Sequence, residues 1–369
     1  MLLRLGSSPL PALRRARIYV CGITPYDTTH IGHAATFVWV DALARVLEHV
    51  GIEVQVARNI TDVDDELLKA ASEQGTTWQA LSTQQTFQFE DDMRKLRVQR
   101  PAFEPASRDY VTDVIFLARA LLDRGAAYER DGSVFFRAGD LHTVSGLSRD
   151  DALRVYDQRG GRADDPAKDD PFDAAIWQAV SPEGGAGEPA WESPWGPGRP
   201  GWHAECAAMA TTLLGMSIDV HAGGADLAYP HHAYENAIVE AATGVAPFSR
   251  SWMHVGTVTR GGEKVAKSTG NLVFVMDLLK DHSPQALRLM ILDRPWNQTW
   301  DFDAAGIAAA EERLEELWTA TSRPGGSDVA VTAACQALLD DLDVPTALGI
   351  ALDEGGEAAR TVAKILALL

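Results

Sequence analysis

Apolar positions along this chain follow two rhythms, and the changes of rhythm locate its elements. Ile18-Tyr19-Val20 is a continuous apolar run, short enough for a buried strand. Residues 34–47 repeat their apolar positions at helical spacing. Between them lies Cys21-Gly22-Ile23-Thr24-Pro25-Tyr26-Asp27-Thr28-Thr29-His30-Ile31-Gly32-His33, expected to be the loop from a first strand into a first helix. Residues 53–60 alternate, as a second strand does. Strand, helix and parallel strand form a right-handed crossover unit. In such sheets ligands bind beyond the carboxyl ends of the strands. Asn59-Ile60-Thr61-Asp62-Val63-Asp64-Asp65 closes the second strand on that edge, and its aspartates suit the start of a further helix.

Helical spacing returns at 66–74, 77–97 and 107–124. Residues 128–137 read as a hairpin turning at Asp131-Gly132. Residues 1–16 carry no clear rhythm and are expected to fray. From about 138 to 201 Gly, Pro, Asp and Arg accumulate, and 182–200 is nearly patternless. Trp177, Trp191 and Trp195 punctuate this stretch and need packing partners, so it reads as an insertion rather than a linker. Residues 202–212 and 234–243 are predicted helices; 218–221 and 252–258 are predicted strands, with Gly223-Gly224-Ala225-Asp226 closing the first. Beyond Asn271 the pattern is helical, broken by Pro and Gly at 323–327. The reading is an α/β fold, a Rossmann-like parallel sheet in two halves (1–125 and 201–262). A connective insertion (126–200) separates them, and a lysine-bearing segment with a C-terminal helical domain (263–369) follows.

A length of 369 residues suits that organisation. The formal charge of −19 argues against a broad nucleic-acid surface, because phosphate is neutralised by Lys and Arg. A local basic groove stays open. The three cysteines, Cys21, Cys206 and Cys335, are too few and scattered for a disulfide framework, so a reducing cytoplasm is expected. No run of about 18 apolar residues predicts a membrane span. The basic N-terminal residues Arg14, Arg15 and Arg17 precede no apolar signal core.

Three groups of residues carry candidate chemistry. Cys21, Cys206, His231 and Glu235 form a plausible zinc set, with His231 and Glu235 on one face if their segment is helical. Scattered cysteines are otherwise ordinary buried apolar residues. His30 and His33 stand one turn apart at a helix N-terminus, where free N–H groups favour an anion; surface histidines are the alternative. Lys264-Val265-Ala266-Lys267-Ser268, in a Gly-flanked loop after a strand, suits a clamp on a polyphosphate or a plain solvated loop.

Taken together, His30-Ile31-Gly32-His33 and the distant Lys264-x-x-Lys267-Ser268 resemble class I aminoacyl-tRNA synthetases. Tyr19-Val20-Cys21-Gly22, Asn59-Ile60-Thr61-Asp62, Gly201-Trp202-His203-Ala204-Glu205-Cys206, Gly223-Gly224-Ala225-Asp226-Leu227 and Pro230-His231-His232 narrow the resemblance to the cysteinyl-tRNA synthetase group, over nearly the whole chain. That group includes the synthetase itself and the mycothiol-pathway cysteine ligases. Several features look like the ligases: Ile23-Thr24-Pro25, Ala34 after His33, the stretch Gln158-Arg159-Gly160-Gly161-Arg162-Ala163-Asp164-Asp165-Pro166, and Asp340-Asp341-Leu342-Asp343-Val344-Pro345. Between 269 and 369 there are 16 Asp/Glu against 7 Lys/Arg, unlike an anticodon-reading face, and little room for a further domain. Two features depart from the ligase pattern. Glu235 matches the synthetases' fourth zinc ligand, and Val265-Ala266 replaces the usual Met-Ser.

The resemblance implies one zinc ion on Cys21, Cys206 and His231, with Glu235 as a further candidate, holding the thiol of L-cysteine. It implies ATP with Mg²⁺, activation of cysteine as its adenylate, and transfer to the amine of glucosaminyl-inositol. His30, His33, Lys264 and Lys267 would act on the phosphates, and Asp226 is a candidate base or a holder of the ammonium or ribose. The adenylate would lie against Cys21, Gly22, Ile23, Thr24, Thr36, Asn59, Ile60 and Thr61. Trp202, Gly224, Ala225, Asp226, Val258 and Lys267 would complete that site, with Trp202 equally readable as core. Arg159 to Arg162 could help form the acceptor pocket. A monomer without tRNA or membrane partners is expected. The alternatives are a cysteinyl-tRNA synthetase without an anticodon domain, a paralogue serving another amine, or an inactive relative kept for binding.

Overall fold

The computed structural model describes residues 3–6, 8–10, 14–26, 29–180, 189–265 and 270–369. Its centre is a four-stranded parallel sheet in the order Trp252–Val255, Val220–Gly224, Arg15–Ile23, Glu53–Ile60. The first strand in sequence lies inside, and later strands are added on both sides of it. That reversal opens a crevice at the carboxyl ends between Arg15–Ile23 and Val220–Gly224.

Alternation along the first strand divides the molecule into two cores. Ala16, Ile18 and Val20 face one core with the helix Ile31–His49 and the C-terminal helices. Tyr19 and Cys21 face the other, with Val111–Asp123, Trp202–Leu214, Ala233–Thr243 and the insertion. Cys21 is therefore turned toward the elements that carry Cys206 and Glu235.

The opening loop is shorter than its composition predicts. The strand continues through Cys21 to Ile23 with a register shift after Val20, and the helix already begins at Ile31. Pairing with Glu53–Ile60 holds the extra residues extended: Thr61 N–H donates to the Ile23 carbonyl at 2.9 Å. Gly22 permits this closeness, since a Cβ there would lie 1.7 Å from the Asn59 carbonyl oxygen. The start of the chain is not frayed where it is described. Arg4–Leu5 and Ser8–Pro9 pair, Leu3, Leu5 and Leu10 are buried, and Arg4 meets Asp340.

The expected strand over 252–258 is two strands. Trp252–Val255 belongs to the parallel sheet; Val258–Arg260 pairs with Glu263–Lys264 and Trp300–Asp301 in another. The break follows the diversion of the Gly256 N–H to the Trp296 carbonyl at 2.9 Å. The insertion is also more ordered than its composition suggests. The hairpin Ala127–Arg130/Ser133–Phe136 continues into Ala174–Ala179 and Gly198–Pro200 as an antiparallel sheet, and Arg149–Gln158 is a helix. Asp131 and Gly132 both take positive φ at the hairpin turn.

The C-terminal helices Ala304–Ser322, Asp328–Leu339, Val344–Glu354 and Gly356–Ile365 share a core with the helix Ile31–His49, and Arg288 ties the two together. Its guanidinium is fully buried, pairs with Asp41, and donates to the carbonyls of Leu366 at 2.6 Å and Leu96 at 3.0 Å. Among the described residues no helix is long and apolar enough to cross a membrane.

Candidate active site

A cleft of about 300 Å³ opens at the carboxyl ends of the strands. One end is floored by Cys21, Cys206, Trp202 and His231; the other is walled by His30, Gly32, His33 and Lys264. Gly22, Ile23, Thr24, Thr36, Asn59, Thr61, Gly224, Asp226 and Val258 lie between or around them. Ile60 and Ala225 do not line it, against expectation. At the end of its strand Asn59 and Thr61 point into the cleft and Ile60, between them, points away. Ala225 likewise turns aside between the lining residues Gly224 and Asp226. Lys267 lies outside the described residues.

At the sulfur end, one ligand atom from each of Cys21, Cys206, His231 and Glu235 lies within 4.8 Å of the others, all buried. Cys21 sits at its strand's carboxyl end, Cys206 one turn into Trp202–Leu214, and Glu235 in the first turn of Ala233–Thr243. His231 precedes that helix in an irregular turn, yet its Nε2 is 3.0 Å from a Glu235 oxygen. Burial raises the Cys21 thiol and the Glu235 carboxyl well above their usual ranges and lowers His231 well below its own. Among the described residues Glu235 Oε2 has no hydrogen-bond partner. Buried charge of this kind needs a counter-ion or a proton. Two thiols, an imidazole and a carboxylate fit a zinc ion in type and number.

A second grouping was not anticipated. Cys21 and Glu235 also lie within 4.8 Å of ligand atoms of His221 and His232. His203 Nδ1 lies 2.8 Å from His231 Nδ1, and His232 Nδ1 lies 2.9 Å from His254 Nε2. The buried His221 is the second residue of the otherwise apolar strand Val220–Gly224, and that polar residue in a core pattern was the signal available. Trp202 stacks on His231, ring centroids 3.9 Å apart, so it is part of the cleft rather than plain core.

At the other end, His30 caps the helix Ile31–His49 by accepting from the Gly32 N–H at 3.2 Å. The His30 and His33 rings stack 3.8 Å apart. Burial, then the neighbouring His30 and Lys264, hold His33 well below the usual imidazole range against the raising effect of Asp226. Helix N–H groups and two imidazoles thus face one space suited to an anion.

Between the ends, one oxygen of Asp226 accepts from Lys264 at 2.6 Å and from Arg159 at 2.9 Å. Burial alone would raise this carboxyl; the two cations overcome that and bring it down to about 2. In this arrangement Asp226 is a strong anchor for cations and a weak base. Arg159 also lines the cleft, while Arg162 points outward to Asp65 at 3.2 Å.

A parallel sheet with this crevice, a His-x-x-His helix start and a lysine hairpin on one cleft defines a class I synthetase-type catalytic domain. Residues 10–312 match the family model of the tRNA synthetases class I (C) catalytic domain, and the chain belongs to that family. It is 44% identical to the L-cysteine:1D-myo-inositol 2-amino-2-deoxy-alpha-D-glucopyranoside ligase of Acidothermus cellulolyticus, over 92% of this chain and 84% of that protein. The ligase of the same name from Gordonia bronchialis is 44% identical over 90% of this chain and 82% of that one. Among solved structures, Mycobacterium tuberculosis methionyl-tRNA synthetase in complex with methionyl-adenylate matches with a TM-score of 0.63. That match covers 96% of this chain and 82% of the other at 16% identity, a likeness of fold.

Proposed function

We propose that this protein is an ATP-dependent cysteine ligase that activates L-cysteine as cysteinyl adenylate and transfers it to the amine of glucosaminyl-inositol. The observation that carries the reading is the layout of one cleft. A soft-metal donor set lies at one end and a helix N-terminus with two imidazoles at the other. The ligase names of relatives at 44% identity supply the acceptor.

Cys21, Cys206 and His231, with Glu235 beside them, would hold zinc, which when bound supplies a soft Lewis acid for the thiolate of cysteine. The other groups position and stabilise. With cysteine in place, its carboxylate oxygen attacks the α-phosphorus of ATP, accompanied by Mg²⁺, and the bond to the bridging oxygen of pyrophosphate breaks. His30, His33, the helix N–H groups and Lys264 lie where they can donate to the phosphates. Lys264 must leave Asp226 to do so, and Asp226 is then available to the cysteine ammonium or the ribose. In the second step the acceptor amine, having lost a proton, attacks the activated carbonyl carbon. The carbon–oxygen bond to AMP breaks and an amide remains. Packing alone separates cysteine from serine poorly, and a thiolate-selective ligand set removes that difficulty.

Pyrophosphate exchange dependent on both cysteine and ATP tests the first step. Adding glucosaminyl-inositol or tRNA then tests the acceptor. Formation of Cys-tRNA without amide would replace this reading with the synthetase one, which the carboxylate at Glu235 favours.

A further inference from the structure

The stretch 158–162 crosses the mouth of the cleft and is fixed at several points. Arg159 reaches Asp226 on the carboxyl side of one core strand, and Arg162 reaches Asp65 beyond another. The stretch needs support from behind, because it leaves the helix Arg149–Gln158 through two positive-φ positions, Gly160 at 81° and Arg162 at 49°. Gly161 lies flat on the buried ring of Tyr156, and a Cβ there would sit 2.3 Å from that ring.

The support is Lys168. Its ammonium donates to the Gly161 carbonyl, lies 3.4 Å from the Tyr156 hydroxyl, and stands 5.1 Å from the centre of the Tyr156 ring. Tyr156 is itself fixed: its hydroxyl donates to the Asp173 carbonyl at 2.8 Å, and its ring stacks on Tyr234, the neighbour of Glu235. Burial lowers the Lys168 ammonium to about 8, against the raising effect of Asp165 and Asp173. A lysine kept largely out of water and aimed at a backbone carbonyl is an expensive way to close a surface turn. It is reasonable where the turn must present a side chain accurately.

We propose that Lys168 is a positioning residue for the acceptor side of the cleft: it fixes the turn 158–162 so that Arg159 stands at Asp226, opposite Lys264. The proposal rests on the ligase reading above. The first step engages the sulfur and phosphate ends, which Lys168 does not touch; its one link to that step is Arg159, one of the two cations on Asp226. The second step brings a hydroxyl-rich amine to the mouth, where Arg159 lies.

The test compares wild type, Lys168→Met and Lys168→Arg in the metal-loaded protein. In Lys168→Met, cysteine-dependent pyrophosphate exchange stays within about twofold of wild type while the KM for glucosaminyl-inositol rises at least about tenfold. Lys168→Arg, which keeps a charged donor, returns that KM to within about threefold. Parallel loss of both half-reactions, or an unchanged acceptor KM, overturns the proposal. Should Lys168→Met not fold, Lys168→Gln, with a shorter donor, carries the same comparison. Hydrogen exchange of the 158–162 amides needs no substrate and separates this proposal from the ligase reading. It rises in Lys168→Met while the parallel sheet stays protected, and unchanged protection of the turn overturns the positioning role even if the wild type uses a different acceptor.

Discussion

Asn59 donates its side-chain amide to Cys206 Sγ at 3.4 Å and accepts from the Gly22 N–H at 2.8 Å with its oxygen. One residue at the end of the second core strand thereby ties the first strand to a candidate metal ligand 147 positions later in sequence. Groups that orient metal ligands commonly change affinity by about 10–100-fold when lost. Asn59→Ala should weaken zinc binding by that order, measured by competition with a chelator, while circular dichroism stays that of the wild type.

Loss of a ligand itself should be more severe. Cys21→Ala and Cys206→Ala should each lose stoichiometric zinc and, in exchange assays, the preference for cysteine over serine. Either property surviving without the other would refute the shared role. The metal-free wild type should be less stable than the loaded protein, because an ion held by four residues brought together only by folding binds the folded state alone.

The phosphate end predicts a different kinetic signature. His33→Ala should lower the kcat of pyrophosphate exchange by roughly 10²–10³, as for other preorganised donors, with little change in the KM for cysteine. A change confined to the cysteine KM would place His33 at the wrong end of the cleft.

Asp226 predicts a pH dependence. Its folded-state pKa of about 2 lies below the ordinary carboxylate value, so its pairing with Lys264 and Arg159 stabilises the fold fully above about pH 4. That contribution is lost as pH falls through 2. Asp226→Asn should therefore lower stability by roughly 1 kcal/mol near pH 7 in urea unfolding, after allowance for partial exposure. The difference should shrink steadily below pH 4.

Arg288 sets a purely structural expectation. Arg288→Ala leaves Asp41 with only Arg45 and the Gln99 N–H as partners, and removes the Arg288 donor from two carbonyls. A cost of about 2–3 kcal/mol is expected in equilibrium unfolding, because buried polar groups lose a donor while Arg45 still pairs the carboxylate. Arg288→Met removes the same charge and donors but fills the space, so the more of the cost that remains, the more the polar groups rather than the lost packing are responsible.

Much of the site was legible in order along the chain. His30 and His33 lie at one helix start, and their spacing alone puts both rings on one side. The period-two alternation of 53–60 located its strand with the bounds observed. Errors came where local signal is silent about partners. Cys21 to Ile23 look like a loop by composition, yet pairing to the neighbouring strand holds them extended. The insertion looks patternless because its strands are short and its helix polar, and only their mutual packing around Trp177 orders them.

What the sequence by itself determined is the chemistry available: two thiols, a histidine and a carboxylate, a His-x-x-His turn, and lysines in a Gly-flanked loop. What only the tertiary structure decided is which of these share a space. Cys21 meets Cys206 and Glu235 because alternation along one strand turns it toward one core, and strand order puts the crevice beside it. Arg159, Asp226 and Lys264 come from three separate segments and meet on one oxygen. The reason is physical: residue spacing governs contacts within an element, whereas contacts between elements depend on how buried faces pack.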